Sequence, residues 1–124
     1  HIFHEALKNN TYTCFLSEKT TLPMMYMDDA IRATIEIMQT KAENVKIRSS
    51  YNIAGCSFNP MQIASQIKSQ QAEFTINYKL DFRQEIADKW PKSINDDQAR
   101  EDWNWKARYD LNKMTKNMLE NLSL

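Results

Sequence analysis

The sequence predicts an α/β chain, a few short strands flanked by helices, forming one unit over residues 1–124. Three observations carry this. The stretch Leu22-Pro23-Met24-Met25-Tyr26 is apolar and suited to a strand, and it runs through Asp28-Asp29 into apolar residues at helical spacing. Strand-like segments and helical segments then alternate along the rest of the chain. Two helix starts are marked sharply, by Asn59-Pro60 and by Asp110.

In chain order, residues 2–9 predict a short amphipathic helix with Ile2, Phe3, Ala6 and Leu7 inward, ended by Asn9-Asn10. Tyr12-Thr13-Cys14-Phe15-Leu16 reads as a strand, and Ser17-Glu18-Lys19-Thr20 as a polar turn leading back toward residues 22–26, so a hairpin or two neighbouring strands is expected. In the following helix, Ala30, Ile31, Thr34, Ile35 and Met38 define the face expected to pack on a sheet. Arg32 and Glu36 pair outside that stripe, and Asp28 or Asp29 caps the first turn. Past the charged connector Lys41-Ala42-Glu43-Asn44, residues 50–54 predict another strand, stopped by Gly55. Asn59 and Pro60 open a helix whose apolar face is Ile63, Ala64 and Ile67. Phe74-Thr75-Ile76-Asn77-Tyr78 alternates as a half-buried strand does. Residues 81–91 read as a loop with one helical turn at most. Ser93 and Asn95 can cap a short helix over 96–102 that closes on Trp103 and Trp105, read as anchors for the last helix. That helix starts at Asp110 and places Leu111, Met114, Met118 and Leu119 on one side.

Composition narrows the function. Sixteen basic and sixteen acidic residues leave no net charge. No global field therefore draws the chain to nucleic acid or to an anionic membrane, and neither partner is expected. No apolar run approaches a membrane span. Cys14 and Cys56 lie in apolar runs without Cys or His at metal-ligand spacing, which fits two buried thiols in a reducing, intracellular compartment with no metal. A single glycine, Gly55, stands where average usage supplies about eight or nine, too few for a phosphate-cradling loop. The seven methionines read as adaptable core filler.

Catalytic residue sets are scarce. The only histidines, His1 and His4, sit in the first helix without a nucleophile beside them. Asp28 and Asp29 are adjacent, so they point in different directions and suit capping better than acid–base work. Tyr109 and Lys113 match the Tyr-x-x-x-Lys spacing of short-chain dehydrogenases, but Tyr109 precedes a capping aspartate, and the match reads as coincidence. Arg83 and Trp90 stand in an irregular segment between a strand and a capped helix, where side chains commonly reach into a ligand site; the competing reading pairs Arg83 with Asp81 or Glu85 and tucks Trp90 under the loop.

Longer stretches carry a resemblance. Residues 12–16, 22–34 and 47–55, then Asp81-Phe82-Arg83-Gln84-Glu85-Ile86-Ala87-Asp88-Lys89-Trp90-Pro91 and Ala99-Arg100-Glu101-Asp102-Trp103-Asn104-Trp105, closely resemble the C-terminal part of the short-chain-type L-threonine 3-dehydrogenases. These are extended short-chain dehydrogenases, related to nucleotide-sugar epimerases. The resemblance implies the substrate-side portion of a Rossmann-type fold without its dinucleotide-binding half. In the intact enzyme it implies oxidation of the L-threonine hydroxyl to 2-amino-3-oxobutyrate with NAD as hydride acceptor, and a homodimer. The NAD fingerprint, the catalytic Tyr-x-x-x-Lys and a threonine-rich substrate segment are expected upstream, so no catalytic or cofactor-binding residue is assigned here. Arg83 and Trp90 match positions bordering the substrate cleft. Thr21 falls near an arginine that epimerases direct at a nucleotide, and it cannot offer that charge to a diphosphate. The compartment implied is mitochondrial for an animal protein and cytoplasmic for a bacterial one. Two alternatives remain: a non-catalytic interaction fragment, or the equivalent region of an epimerase or reductase. Loss of the dinucleotide domain is expected to bare the faces of helix 2–9 and strand 22–26.

Overall fold

The computed structural model describes residues 1–123. Six helices and four short strands follow one another: α1 (Ile2–Asn9), β1 (Thr11–Cys14), β2 (Leu22–Met24), α2 (Met27–Gln39), β3 (Cys56–Phe58), α3 (Pro60–Gln70), β4 (Thr75–Tyr78), α4 (Arg83–Asp88), α5 (Asp97–Trp103) and α6 (Leu111–Leu122). The starts of α3 and α6 fall where their chemistry puts them. Asn59 accepts from Gln62 N–H while the Gln62 side chain answers to Asn59 N–H, a complete capping box with Pro60 in the first turn. Asp110 accepts from Lys113 N–H at 2.8 Å. Asn10 ends α1 in the left-handed conformation, which a short polar side chain tolerates.

The strands do not form the expected hairpin. β1 runs parallel to β4, with Thr11 opposite Thr75, and β2 runs antiparallel to β3, with Leu22 opposite Phe58. The Ser17–Thr20 turn closes on itself through Thr20 N–H to Ser17 C=O, and it delivers the chain to a different sheet. Pro23 lacks the N–H a central strand would need, which suits β2 to a two-stranded edge position.

The strand expected over residues 50–54 also moves. Gly55 does not stop a strand but precedes one, β3, and residues 50–54 carry no ladder. Ala54 N–H donates to the Asp96 carboxylate at 3.2 Å, and Ala54 C=O accepts from the Trp105 indole at 3.2 Å. Side chains thus satisfy the backbone at Ala54 where a strand would otherwise do so. At Gly55 a Cβ would stand 2.5 Å from Met24 O and 2.9 Å from Met25 Cα. Gly55→Ala therefore forces β2 and β3 apart, and we expect it to lower stability by about 2 kcal/mol in urea unfolding.

Two cores result. Phe3, Ala6, Ile63, Ala64, Ile67, Phe74 and Leu119 join α1, α3 and α6. A second, smaller core gathers Ala33, Ala99 and Trp105, with Tyr51, Ile53 and Trp103 against it. Trp105 is an anchor, as expected, but it anchors α2 and α5 rather than the last helix. The methionines divide: Met114 is buried, whereas Met24, Met27, Met38 and Met61 are exposed, so uniform core filling does not describe them.

The largest departure is in α2. Its buried residues are Asp29 and Ala33. Of the face expected to meet a sheet, Ile31, Thr34, Ile35 and Met38 are exposed and Ala30 is half-buried; Met27 is exposed beside them, and Met38 is 78% exposed. The ion pair expected outside instead packs toward the body: Arg32 bonds Glu36 at 2.7 Å and stacks on Trp105 with its guanidinium carbon 4.6 Å from the ring centre. Residues Phe3 and Ala6 of α1 are buried against the first core. Apolar surface is left open on α2, which was not expected, and also along a groove lined by Ile2 and Phe3 of α1, Leu22 and Met24 of β2, and Phe15.

Candidate functional site

Residues 81–91 contain more helix than expected, because α4 occupies six of them. Two small cavities flank it. One, about 260 Å³, is lined by Ser17, Lys19, Thr20, Thr21, Gln84, Ala87, Asp88, Trp90 and Lys92. The other, about 160 Å³, is apolar and lies between Phe15, Leu16, Leu22, Arg83, Ile86, Ala87 and Trp90. Trp90 borders both, 59% exposed, and is not tucked under the loop.

Arg83 is engaged locally. Its guanidinium holds Asp81 at 2.6 Å and lies over the Phe15 ring, 3.4 Å from the ring centre. The hydrogen bond from Arg83 holds the Asp81 carboxyl below its usual range, and the same bond raises Arg83. The two candidates thus line the apolar cavity together, but Trp90 alone of the pair reaches the polar one. Sequence reading missed Gln84, which joins α4 to the Ser17–Thr20 turn. Its neighbours in sequence gave no signal for this link, because its partners in the turn lie more than sixty positions away.

The Tyr109–Lys113 pair behaves as a coincidence of spacing. Tyr109 O–H donates to Asp28 at 3.1 Å, and Lys113 Nζ reaches the Arg108 carbonyl at 3.4 Å. The bond to Asp28 raises the Tyr109 phenol, opposite to what proton abstraction needs. Asp28 and Asp29 are not caps either: Tyr26 occupies the cap position without a side-chain bond. Asp28 instead accepts from Tyr109, and Asp29 turns inward to the Arg108 and Tyr109 N–H groups. Cys14 is buried and Cys56 half-buried, both free, with burial pushing each thiol up. Among the described residues no group of three or more His, Cys, Asp or Glu side chains is placed to hold a metal, and no helix is long and apolar enough to cross a membrane.

Comparison with known proteins bears on what this cleft belongs to. No protein-family model matches the chain. The mitochondrial L-threonine 3-dehydrogenase of Bos taurus is 44% identical over 119 residues, covering 95% of this chain and 32% of the bovine protein. An uncharacterised epimerase/dehydratase of Staphylococcus haemolyticus is 38% identical over 120 residues, 38% of its length. Among solved structures, the GalE-like L-threonine dehydrogenase of Cupriavidus necator superposes with a TM-score of 0.94 at 56% identity, over 98% of this chain and 44% of that one. The enzyme from Phytophthora infestans does so at 0.94 and 45% identity, over 39% of its chain.

This α/β chain is homologous to the C-terminal portion of epimerase-like, short-chain-type oxidoreductases. Within the class, its named relatives are L-threonine 3-dehydrogenases. The chain spans about a third of the length of the curated relatives it matches.

Proposed function

We propose that this chain is the substrate-side portion of an NAD-dependent L-threonine 3-dehydrogenase, inactive by itself, in which the cleft beside α4 receives L-threonine and Trp90 and Arg83 border it. The observation that carries the reading is the outward face of α2. Met27, Ile31, Ile35 and Met38 form a helical stripe with no cover among the described residues, next to a strand-like segment, 50–54, that lacks a ladder. A helix with an apolar stripe that leads into a strand-like segment without a ladder is one that a layered α/β fold covers with a sheet, burying the stripe. The remaining portion of a dehydrogenase of this class supplies a sheet of that kind.

NAD falls to that remaining portion. These residues do not fit it: the lone glycine is pressed against the Met24 and Met25 backbone and leads into a strand, so no glycine loop or helix start here cradles a pyrophosphate. What this chain contributes is shape. It sets the wall of the cleft through α4 and the Ser17–Thr21 turn, with Thr21 where a nucleotide-sugar enzyme would place a cation. The assembled enzyme is proposed to be a homodimer, mitochondrial if its source is an animal and cytoplasmic if bacterial.

A chimera tests this. Replacing the matched portion of the Cupriavidus necator enzyme by this chain is expected to give threonine-dependent NADH formation with kcat/KM within about tenfold of the parent, or about 1.4 kcal/mol. A folded chimera that binds NAD but leaves threonine unoxidised would overturn the proposal.

A further inference from the structure

We infer that Gln84 is a positioning residue, clamping α4 to the Ser17–Thr20 turn and thereby setting where Trp90 stands in the cleft. The inference rests on the reading of that cleft as the substrate side. A glutamine amide offers two acceptor sites on oxygen and two donors on nitrogen. All four are used here. Oε1 accepts from Ser17 N–H at 2.7 Å and from the Thr20 hydroxyl at 3.2 Å, while Nε2 donates to Thr20 Oγ1 at 2.9 Å and to Asp88 Oδ1 at 2.6 Å.

Little else holds α4 in register. Arg83 directs its hydrogen bonds to Asp81, two residues away, and lies on the Phe15 ring. Ala87 is the helix's one buried residue, and Phe82 at its cap and Ile86 just before Ala87 are exposed. Among the described residues, every hydrogen bond between α4 and the 17–20 turn passes through the Gln84 amide. Trp90 follows without slack, since its N–H closes on Ala87 C=O at 3.1 Å. Pivoting α4 therefore carries the indole with it. A leucine at position 84 keeps the bulk, breaks the clamp and leaves Ser17 N–H and the Thr20 hydroxyl to water. A misplacement near 1 Å beside a bound substrate is enough to cost an order of magnitude or more.

The test combines kinetics on the chimera with a probe of Trp90 on this chain. Gln84→Leu and Thr20→Val are expected to raise the threonine KM about fivefold or more, with the NAD KM unchanged, and Thr20→Ser, which keeps the hydroxyl, recovers most of what Thr20→Val loses. With 5-fluorotryptophan at all three tryptophans, the fluorine signal of Trp90, assigned by Trp90→Phe, shifts in Gln84→Leu while those of Trp103 and Trp105 stay. Trp90→Ala separates the two readings. If it raises the threonine KM and neither Gln84→Leu nor Thr20→Val does, or if the Trp90 signal stays put in Gln84→Leu, the positioning role is overturned. If Trp90→Ala leaves the threonine KM unchanged, the cleft assignment itself fails, and the positioning role for threonine falls with it.

Discussion

Asp29→Ala is expected to cost about 3 kcal/mol of unfolding free energy, the range for removing one partner of a buried, hydrogen-bonded charge set. Asp29 is 1% exposed. Its carboxylate accepts from Arg108 N–H at 3.1 Å, from Tyr109 N–H at 2.9 Å and from Arg32 at 2.9 Å. Arg32 in turn bonds the Lys106 carbonyl and Glu36. One side chain thus joins the first turn of α2 to a segment about eighty residues later, and truncating it leaves two N–H groups and a guanidinium without their acceptor.

The same group predicts a pH dependence. Burial raises the Asp29 carboxyl, but the Tyr109 N–H, the Arg32 guanidinium and the Arg108 N–H outweigh burial, so its folded value lies below the ordinary one. A depressed folded value means that the unfolded chain binds the proton more readily. The contribution is present above the unfolded value, about 3.9, and is lost as pH falls through the lower folded value. Urea unfolding followed from pH 6 down to about pH 2 should show a steeper acid loss in the parent than in Asp29→Asn. Equal slopes would mean that Asp29 is not depressed. Asp102, lowered first by the Tyr51 hydroxyl and then by Gln98 and Lys46, keeps part of the slope in both proteins.

Ile31→Lys with Ile35→Lys is expected to act in opposite senses in two settings. Both residues are about half exposed on the outer face of α2, so the chain by itself should change stability by no more than about 0.5 kcal/mol and should associate less in sedimentation. In the chimera the same pair would place two ammonium groups against an apolar sheet, and turnover should fall by about a hundredfold or more through failure to assemble. Retained activity there would show that the α2 stripe does not dock on the dinucleotide-binding portion.

Much of the fold was legible in local chemistry. The Asn59-Pro60-Met61-Gln62 start, the Asp110 cap, the Asn9-Asn10 end of α1 and the Ile63, Ala64, Ile67 face each depend on residues within one or two helical turns, so a linear reading reaches them. Long collinear similarity likewise carried the oxidoreductase class. Pairing did not follow from the same information. Residues 12–16 and 50–54 have strand composition, but which edge each meets depends on segments sixty or forty positions away, and β4 and the Asp96–Trp105 region took those edges. Of the candidate site, Arg83 and Trp90 were found by their place in an irregular segment, whereas Gln84 emerged only when α4 met the 17–20 turn.

The sequence by itself determined where α3 and α6 begin, that strands and helices are interspersed along the chain, and which enzymes it resembles, because capping, periodicity and identity are carried by neighbours in the chain. The tertiary structure alone decided the orientation of α2. Amphipathicity says that a helix has an apolar face, not which side of the molecule will meet it. Here Asp29 and Arg32, held by Arg108, Tyr109, Lys106 and Trp105, turn the polar side inward and leave the apolar stripe outward. A buried charge set with all its partners in place outweighs an apolar stripe that finds no cover among the described residues.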